Sequence, residues 1–361
     1  MLNITRGVCH IMFGHDVGYG IDLDRAQAML SSEGARRGVL AHGPRSSASI
    51  QYEPLPVRFT RTHAPISVAG RTTAAEVELV LYDFGAVCIA WRMAIDGPIE
   101  GLGALAVGLY ENGEFIEASR ALARDLLERI DGAVAHPCLS PLVEDYVTYH
   151  IESWEGEADA GACVGVHRAE VARLLRAEAA ALSPEEVAEA VSVKTSYTSR
   201  DVAVIDWNAA LLLGPDQGDV LSILEFANVE LLELRYLDAR LDAALEQAHE
   251  AVQAGTGLLG RASSANLRRI AGMQVDAAML FEGVNNALKL VGDQYLARVY
   301  RLAGQRLHLP QWDSSILRKL GTLETIYDKI NDRQATRRME ILEWIIIILI
   351  AVSLVMPIVK L

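Results

Sequence analysis

Apolar positions follow two rhythms along this chain, and the change from one to the other falls at Gly214-Pro215. From residue 1 to 213, runs with a spacing of two alternate with runs at helical spacing, which predicts an α/β or α+β head. Strand-like runs cover 8–13, 77–82, 86–93, 146–154 and 202–213, each rich in β-branched or aromatic residues. Asp83-Phe84-Gly85 joins two of them as a hairpin turn. Helical runs cover 22–30, 117–130, 167–182 and 183–191. Asp22 or Asp24 caps the first, and Ser183-Pro184-Glu185-Glu186 gives the last a cap, a first-turn proline and a capping-box glutamate. Segment 34–56, with its Gly, Ser and Pro, reads as a loop.

After residue 214 the pattern predicts long helices. In the first, 218–252, Ala227, Leu231, Leu234, Leu237, Leu241, Leu245 and Ala248 fall three or four apart. The carboxylates Glu225, Glu230, Glu233, Asp238 and Asp242 sit where a solvated face would put them. In the second, Leu267, Ile270, Gln274, Ala277, Phe281, Val284, Leu288, Val291 and Tyr295 keep a 3-4 spacing, a coiled-coil signature with Gln274 as a register-setting polar residue. The third opens at Ser314 or Ser315, carries Ile316, Leu320, Leu323, Tyr327 and Ile330, and runs on into the terminal apolar stretch. Three parts are therefore expected: an α/β head at 1–213, a three-helix antiparallel or coiled-coil bundle at 214–340, and a single C-terminal transmembrane helix at 341–361.

The expected anchor is Trp344, Ile345, Ile346, Ile347, Ile348, Leu349, Ile350, Val352, Leu354 and Val355. Its Ile, Leu and Val side chains sum to about −5 kcal/mol of insertion free energy. A helix over 341–359 is about 28 Å long, close to a hydrocarbon core of about 30 Å. Arg333, Arg337 and Arg338 precede the run and only Lys360 follows, which favours a single-pass, tail-anchored protein of the inner or cytoplasmic membrane. The bulk of the chain then faces the cytoplasmic or matrix-equivalent side; His10, His15 and Asp16 interrupt the early apolar stretch, so it lacks a secretory core. Antiparallel helices bring Arg261, Arg268 and Arg269 to the same lipid surface as Arg333, Arg337 and Arg338.

Composition narrows the function classes. A formal charge of −14 without a long basic block leaves no footprint for direct nucleic-acid binding. Cys9, Cys88, Cys138 and Cys163 are scattered without a C-x-x-C and read as small apolar residues in a reducing compartment. Gly255-Thr256-Gly257-Leu258-Leu259-Gly260 matches G-x-G-x-x-G but lies between two long helices, and reads as their loop. Gly101-Leu102-Gly103-Ala104-Leu105-Ala106 follows a strand without a clear helix after it. No zinc spacing, esterase elbow or phosphate-binding loop occurs in the sequence. Trp207 reads as a core aromatic beside a turn. No catalytic, cofactor-binding or metal-ligating residue is assigned, and no cofactor is expected.

The stretch from Val77 to Trp91, through Asp83-Phe84-Gly85, resembles the apolar hairpin of the "required for meiotic nuclear division" family, also known by its YagE-like domain. Arg338-Met339-Glu340-Ile341-Leu342-Glu343-Trp344-Ile345-Ile346 is similar to that family's closing run into a terminal membrane helix, and Ile21-Asp22-Leu23 to its opening unit. The resemblance implies an integral inner-membrane homo-oligomer without known catalytic residues. The expected function is a membrane-anchored, non-enzymatic structural or interaction protein that self-associates, with the lipid bilayer and a further, unidentified protein as partners. Two alternatives stay open. One is a transport protein resembling the CorA-type magnesium channels, although their second membrane helix and Gly-Met-Asn motif do not occur here. The other is an enzyme whose site is assembled in the head from dispersed residues.

Overall fold

A computed structural model describes residues 2–38, 54–254, 272, 275, 294–326, 328–329, 339, 343–344 and 346–347. Two compact units are present: one takes residues from Met1–Tyr236 and Leu280–Asp313, the other from Leu237–Met279 and Ser314–Leu361.

The first unit is built on a 10-stranded sheet. Its central strand is β1 (Asn3–Asp16), flanked on both sides by antiparallel partners, β7 (Ala86–Pro98) and β9 (Glu144–Glu155). Outward from β7 come β6 (Arg71–Leu81), β4 (Val57–Thr62) and β3 (Arg36–Arg37), with β5 (Ser67–Val68) also on β6. Outward from β9 come β12 (Ala209–Leu213), β11 (Val202–Ile205) and β10 (Lys194–Thr195), and β12 runs parallel to β9. A separate short pair joins β2 (Gly20–Ile21) to β8 (Val134–Ala135).

Alternation of side chains along β1 gives the sheet two buried faces. Cys9, Ile11 and Phe13 point into one core with Trp91 of β7 and Phe115 of α3 (Gly113–Ile130). Phe13, Trp91 and Phe115 lie with ring centroids 5.4–6.1 Å apart. The same core takes in residues of α1 (Leu23–Met29), α2 (Gly103–Leu109), α4 (Ala160–Val166) and α5 (Arg168–Leu175). α6 (Pro184–Ala190) packs on α5 through Val187 and Ala190 against Ala172. The opposite face meets α7 (Gly218–Ala254), whose Leu232 approaches Gly14 of β1. The unit is completed by α8 (Gln294–Arg306).

The expected local signals are where the sequence put them. Asp22 caps α1 by accepting from the Arg25 amide at 3.1 Å, and Ser183 caps α6 by accepting from the Glu186 amide at 3.2 Å. The hairpin between β6 and β7 turns at Asp83-Phe84-Gly85, with Gly85 at φ +103. A Cβ there would lie 1.9 Å from the carbonyl oxygen of Gly18, because the chain after β1 crosses directly over the turn. That crossing is fixed by a 2.9 Å hydrogen bond from the Val17 amide to the Gly85 carbonyl. The 202–213 run is two strands, not one, broken by a turn that leaves Trp207 substantially exposed; the expectation of a core aromatic is corrected. A short helix, α2, does follow Gly101, after one tight turn, whereas residues 255–260 lie outside the described residues.

In the second unit, residues 237–254 of α7 pair with a helix within 314–326. Leu237, Leu241, Ala244, Ala248, Ile316 and Leu323 are buried, and Lys319 bridges Asp238 at 2.7 Å and Asp242 at 2.5 Å. The helix begins at residue 309, earlier than Ser314. Most of the heptad from Leu267 to Val291 lies outside the described residues, as do Arg261, Arg268, Arg269, Arg333, Arg337 and Arg338.

The membrane reading is corrected. Among the described residues no helix is long and apolar enough to cross a membrane, so a fold closing in a transmembrane helix and a single-pass, tail-anchored location are not supported. The longest described helix, α7, carries charge on nearly every turn, with Asp219, Glu225, Glu230, Glu233, Arg235, Asp238 and Asp242 among its residues. Of the expected anchor, Trp344, Ile346 and Ile347 are described and are exposed helical residues; Ile345, Ile348, Leu349, Ile350, Val352, Leu354 and Val355 lie outside the described residues. A span needs an unbroken helix of about 20 apolar residues, and the described residues contain none.

Candidate functional site

Three of the carboxylates assigned to a solvated face of α7 are buried. Glu225, Glu230 and Glu233 are 1%, 4% and 2% exposed, because the sheet and α8 cover more of the helix than its leucine stripe indicates. Each meets a different partner.

Glu225 faces β4 and β6. It accepts from the Arg58 guanidinium at 2.7 Å and from the Tyr82 hydroxyl at 2.6 Å, while Arg58 also reaches Glu78 at 3.2 Å. Burial pushes the Glu225 carboxyl above its ordinary range, and Arg58 and Tyr82 limit that rise. A buried charge with two strong donors is held in one geometry, which suits it to locking α7 onto the sheet.

Glu233 faces Asp16 at the end of β1, and both are buried. Burial, with the Asp16 charge added to it, pushes the Glu233 carboxyl well above its usual range. Both groups of the pair are shielded from solvent. Next to it, Glu144 of β9 is bridged by Arg235, yet burial outweighs the cation and pushes its carboxyl up to about 7.

Glu230 takes hydrogen bonds from the Tyr300 hydroxyl of α8 at 2.8 and 3.0 Å. Burial, against the Tyr300 bond and with Asp313 adding to it, pushes this carboxyl up to about 8. The far end of α8 is fixed differently. Arg306 donates through Nε to the fully buried Asp206 at 2.6 Å and reaches Glu189 of α6 at 2.5 Å, and Arg176, just past the end of α5, bridges Asp206 at 2.7 Å.

On the other face of the sheet, His15 and Ser119 form a buried pair at 2.9 Å. The Ser119 hydroxyl also lies 2.9 Å from the Ile116 carbonyl, so its one hydrogen is shared between that oxygen and His15 Nε2, and the imidazole tautomer sets the direction of the pair. Burial, with Arg120 nearby, pushes the imidazole down to about 4 and keeps it neutral. Cys9, Cys88 and Cys163 are buried free thiols, as expected of apolar fillers, and Cys138 is exposed. Among the described residues no cluster of His, Cys, Asp and Glu has the makings of a metal site.

None of these centres was assigned from the sequence. The signal that could have found them is charge density: Glu225, Glu230 and Glu233 lie on one helix with the apolar neighbours Phe226, Val229, Leu231, Leu232 and Leu234, too many for a single narrow stripe.

The family described as "Uncharacterized protein MJ0711, N-terminal domain" matches residues 6–219, from the central strand to the start of α7. The relative "Uncharacterized protein MJ0711" from Methanocaldococcus jannaschii is 23% identical over 225 residues, spanning 60% of this chain and 67% of that protein. No solved structure gives a significant match. The resemblance to the "required for meiotic nuclear division" family is overturned by this match. Its quoted motifs were short apolar strands and an apolar tail, patterns that buried sheets impose on unrelated chains. With more than half of its length matched, the chain belongs to the family of the MJ0711 N-terminal domain.

Proposed function

We propose that the chain is a non-enzymatic interaction protein that self-associates through its helical second unit. The observation that carries this reading is α7 itself: one uninterrupted helix of 37 residues, about 55 Å long, that belongs to the sheet unit up to Tyr236 and to a helical unit from Leu237. The buried acids of its first half serve to fix the helix, through Arg58, Tyr82, Asp16 and Tyr300. In its second half the helix pairs with 314–326, whose Leu317 is turned to solvent on the side away from the Ile316 and Leu323 seam. An exposed leucine flanked by Arg318 and Gly321 on a paired helix is the sort of position through which helical units add a further copy.

Mass photometry and sedimentation velocity on the full chain test the reading. A dimer or larger assembly is expected at micromolar concentration, and Leu317→Glu should weaken it at least tenfold, about 1.4 kcal/mol, without changing the far-ultraviolet spectrum. A particle that stays monomeric up to tens of micromolar would overturn it.

A further inference from the structure

Besides the buried Leu296, Val299 and Ala303, two polar contacts of different chemistry hold α8. At its last residue, Arg306 sits in a cluster built on the buried Asp206, with Arg176 and the exposed Glu189, where two guanidinium groups meet two carboxylates. One and a half turns earlier, Tyr300 holds Glu230 of α7 with a neutral hydroxyl. The charged and titratable groups that face Glu230 among the described residues are Tyr300 from α8 and Asp313 from the following helix, and neither is a cation. The same Tyr300 ring borders an aromatic cluster: it lies 6.5 Å from Phe226, which lies 6.0 Å from Tyr82 and 6.1 Å from Phe84.

We propose that α8 is a proton-latched strap, pinned at Arg306 and fastened at Tyr300, which lifts from α7 when Glu230 ionises and uncovers the aromatic surface around Phe226. The bond from Tyr300 favours the ionised carboxylate, but one neutral donor does not replace a hydration shell, and Asp313 adds a like charge. Letting water reach Glu230 requires α8 to move. The Arg306 cluster gains nothing from that movement, since Asp206 keeps both its cations.

The direction of the pH dependence follows. Burial pushes Glu230 from 4.5 up to about 8, so the folded protein binds the proton more tightly than the unfolded chain does. Its contribution is complete below about pH 4.5 and is lost as pH rises toward 8 and beyond.

Hydrogen exchange of the full chain, corrected for intrinsic rates, reads the latch directly. Protection of the α8 amides should fall at least tenfold between pH 6 and pH 9, while amides of β1 and β7 hold theirs. Glu230→Gln, which keeps the shape and cannot ionise, should flatten the fall. Tyr300→Phe should expose α8 already at pH 6, with the ring still against Phe226. Constant α8 protection across this range, a fall of equal size in Glu230→Gln, or wild-type protection in Tyr300→Phe would each overturn the proposal. A loss spread equally over the sheet would overturn it as well, since it would report global unfolding.

Discussion

Gly85→Ala is expected to cost the protein at least about 3 kcal/mol, enough to lower its melting temperature by roughly 5 °C. Two independent penalties meet at this position. A non-glycine residue at φ +103 is strained wherever it occurs, and here the new methyl group would also sit 1.9 Å from the carbonyl oxygen of Gly18. That oxygen belongs to backbone tied down on both sides, by the Val17 amide on the Gly85 carbonyl and by the Tyr19 amide on the Ala135 carbonyl, so it has no easy way to retreat. Gly70→Ala is the control: its φ is +76, but nothing lies within 4 Å of the added atom. Its cost should stay near 1 kcal/mol, the conformational part alone. Urea unfolding followed by circular dichroism separates the two, and equal midpoints for both variants would show that the crossing over the turn is not tight.

Arg58→Met is expected to cost about 3–5 kcal/mol, because it strands the Glu225 carboxylate in the interior with Tyr82 as its remaining donor. Glu225→Gln should cost less, since Arg58 retains Glu78 at 3.2 Å. The double variant Arg58→Met with Glu225→Leu removes both charges together and should recover much of the loss, as apolar replacements of buried ion pairs often do. A double-mutant cycle on unfolding free energies, closed with Glu225→Leu alone, isolates the coupling. If the two single costs simply add, the pair is not what holds α7 to the sheet.

Features of the chain that depend on near neighbours could be read from its sequence. The hairpin of β6 and β7, the Asp22 and Ser183 caps and the course of α7 are written in consecutive residues, so turn chemistry and periodicity disclose them. The candidate site is not of this kind. Glu225 is 167 positions from Arg58 and 143 from Tyr82, and Glu230 is 70 from Tyr300, so only the assembled sheet reveals that these acids are interior. An isolated helix with leucines on one side and glutamates on the other looks half solvated. α7 is covered from a second direction, and its glutamates are where the two coverings meet.

The central position of β1 also constrains the order of events during synthesis. β1 leaves the ribosome before both of its partners, β7 on one side and β9 on the other, and β9 is not complete until Glu155 has been made. Until then its apolar residues have no finished sheet to join, and every contact that closes the centre spans most of a hundred positions or more. Such distant pairing is slow and exposes sticky intermediates. Moving β1 behind β9 by circular permutation would shorten that wait.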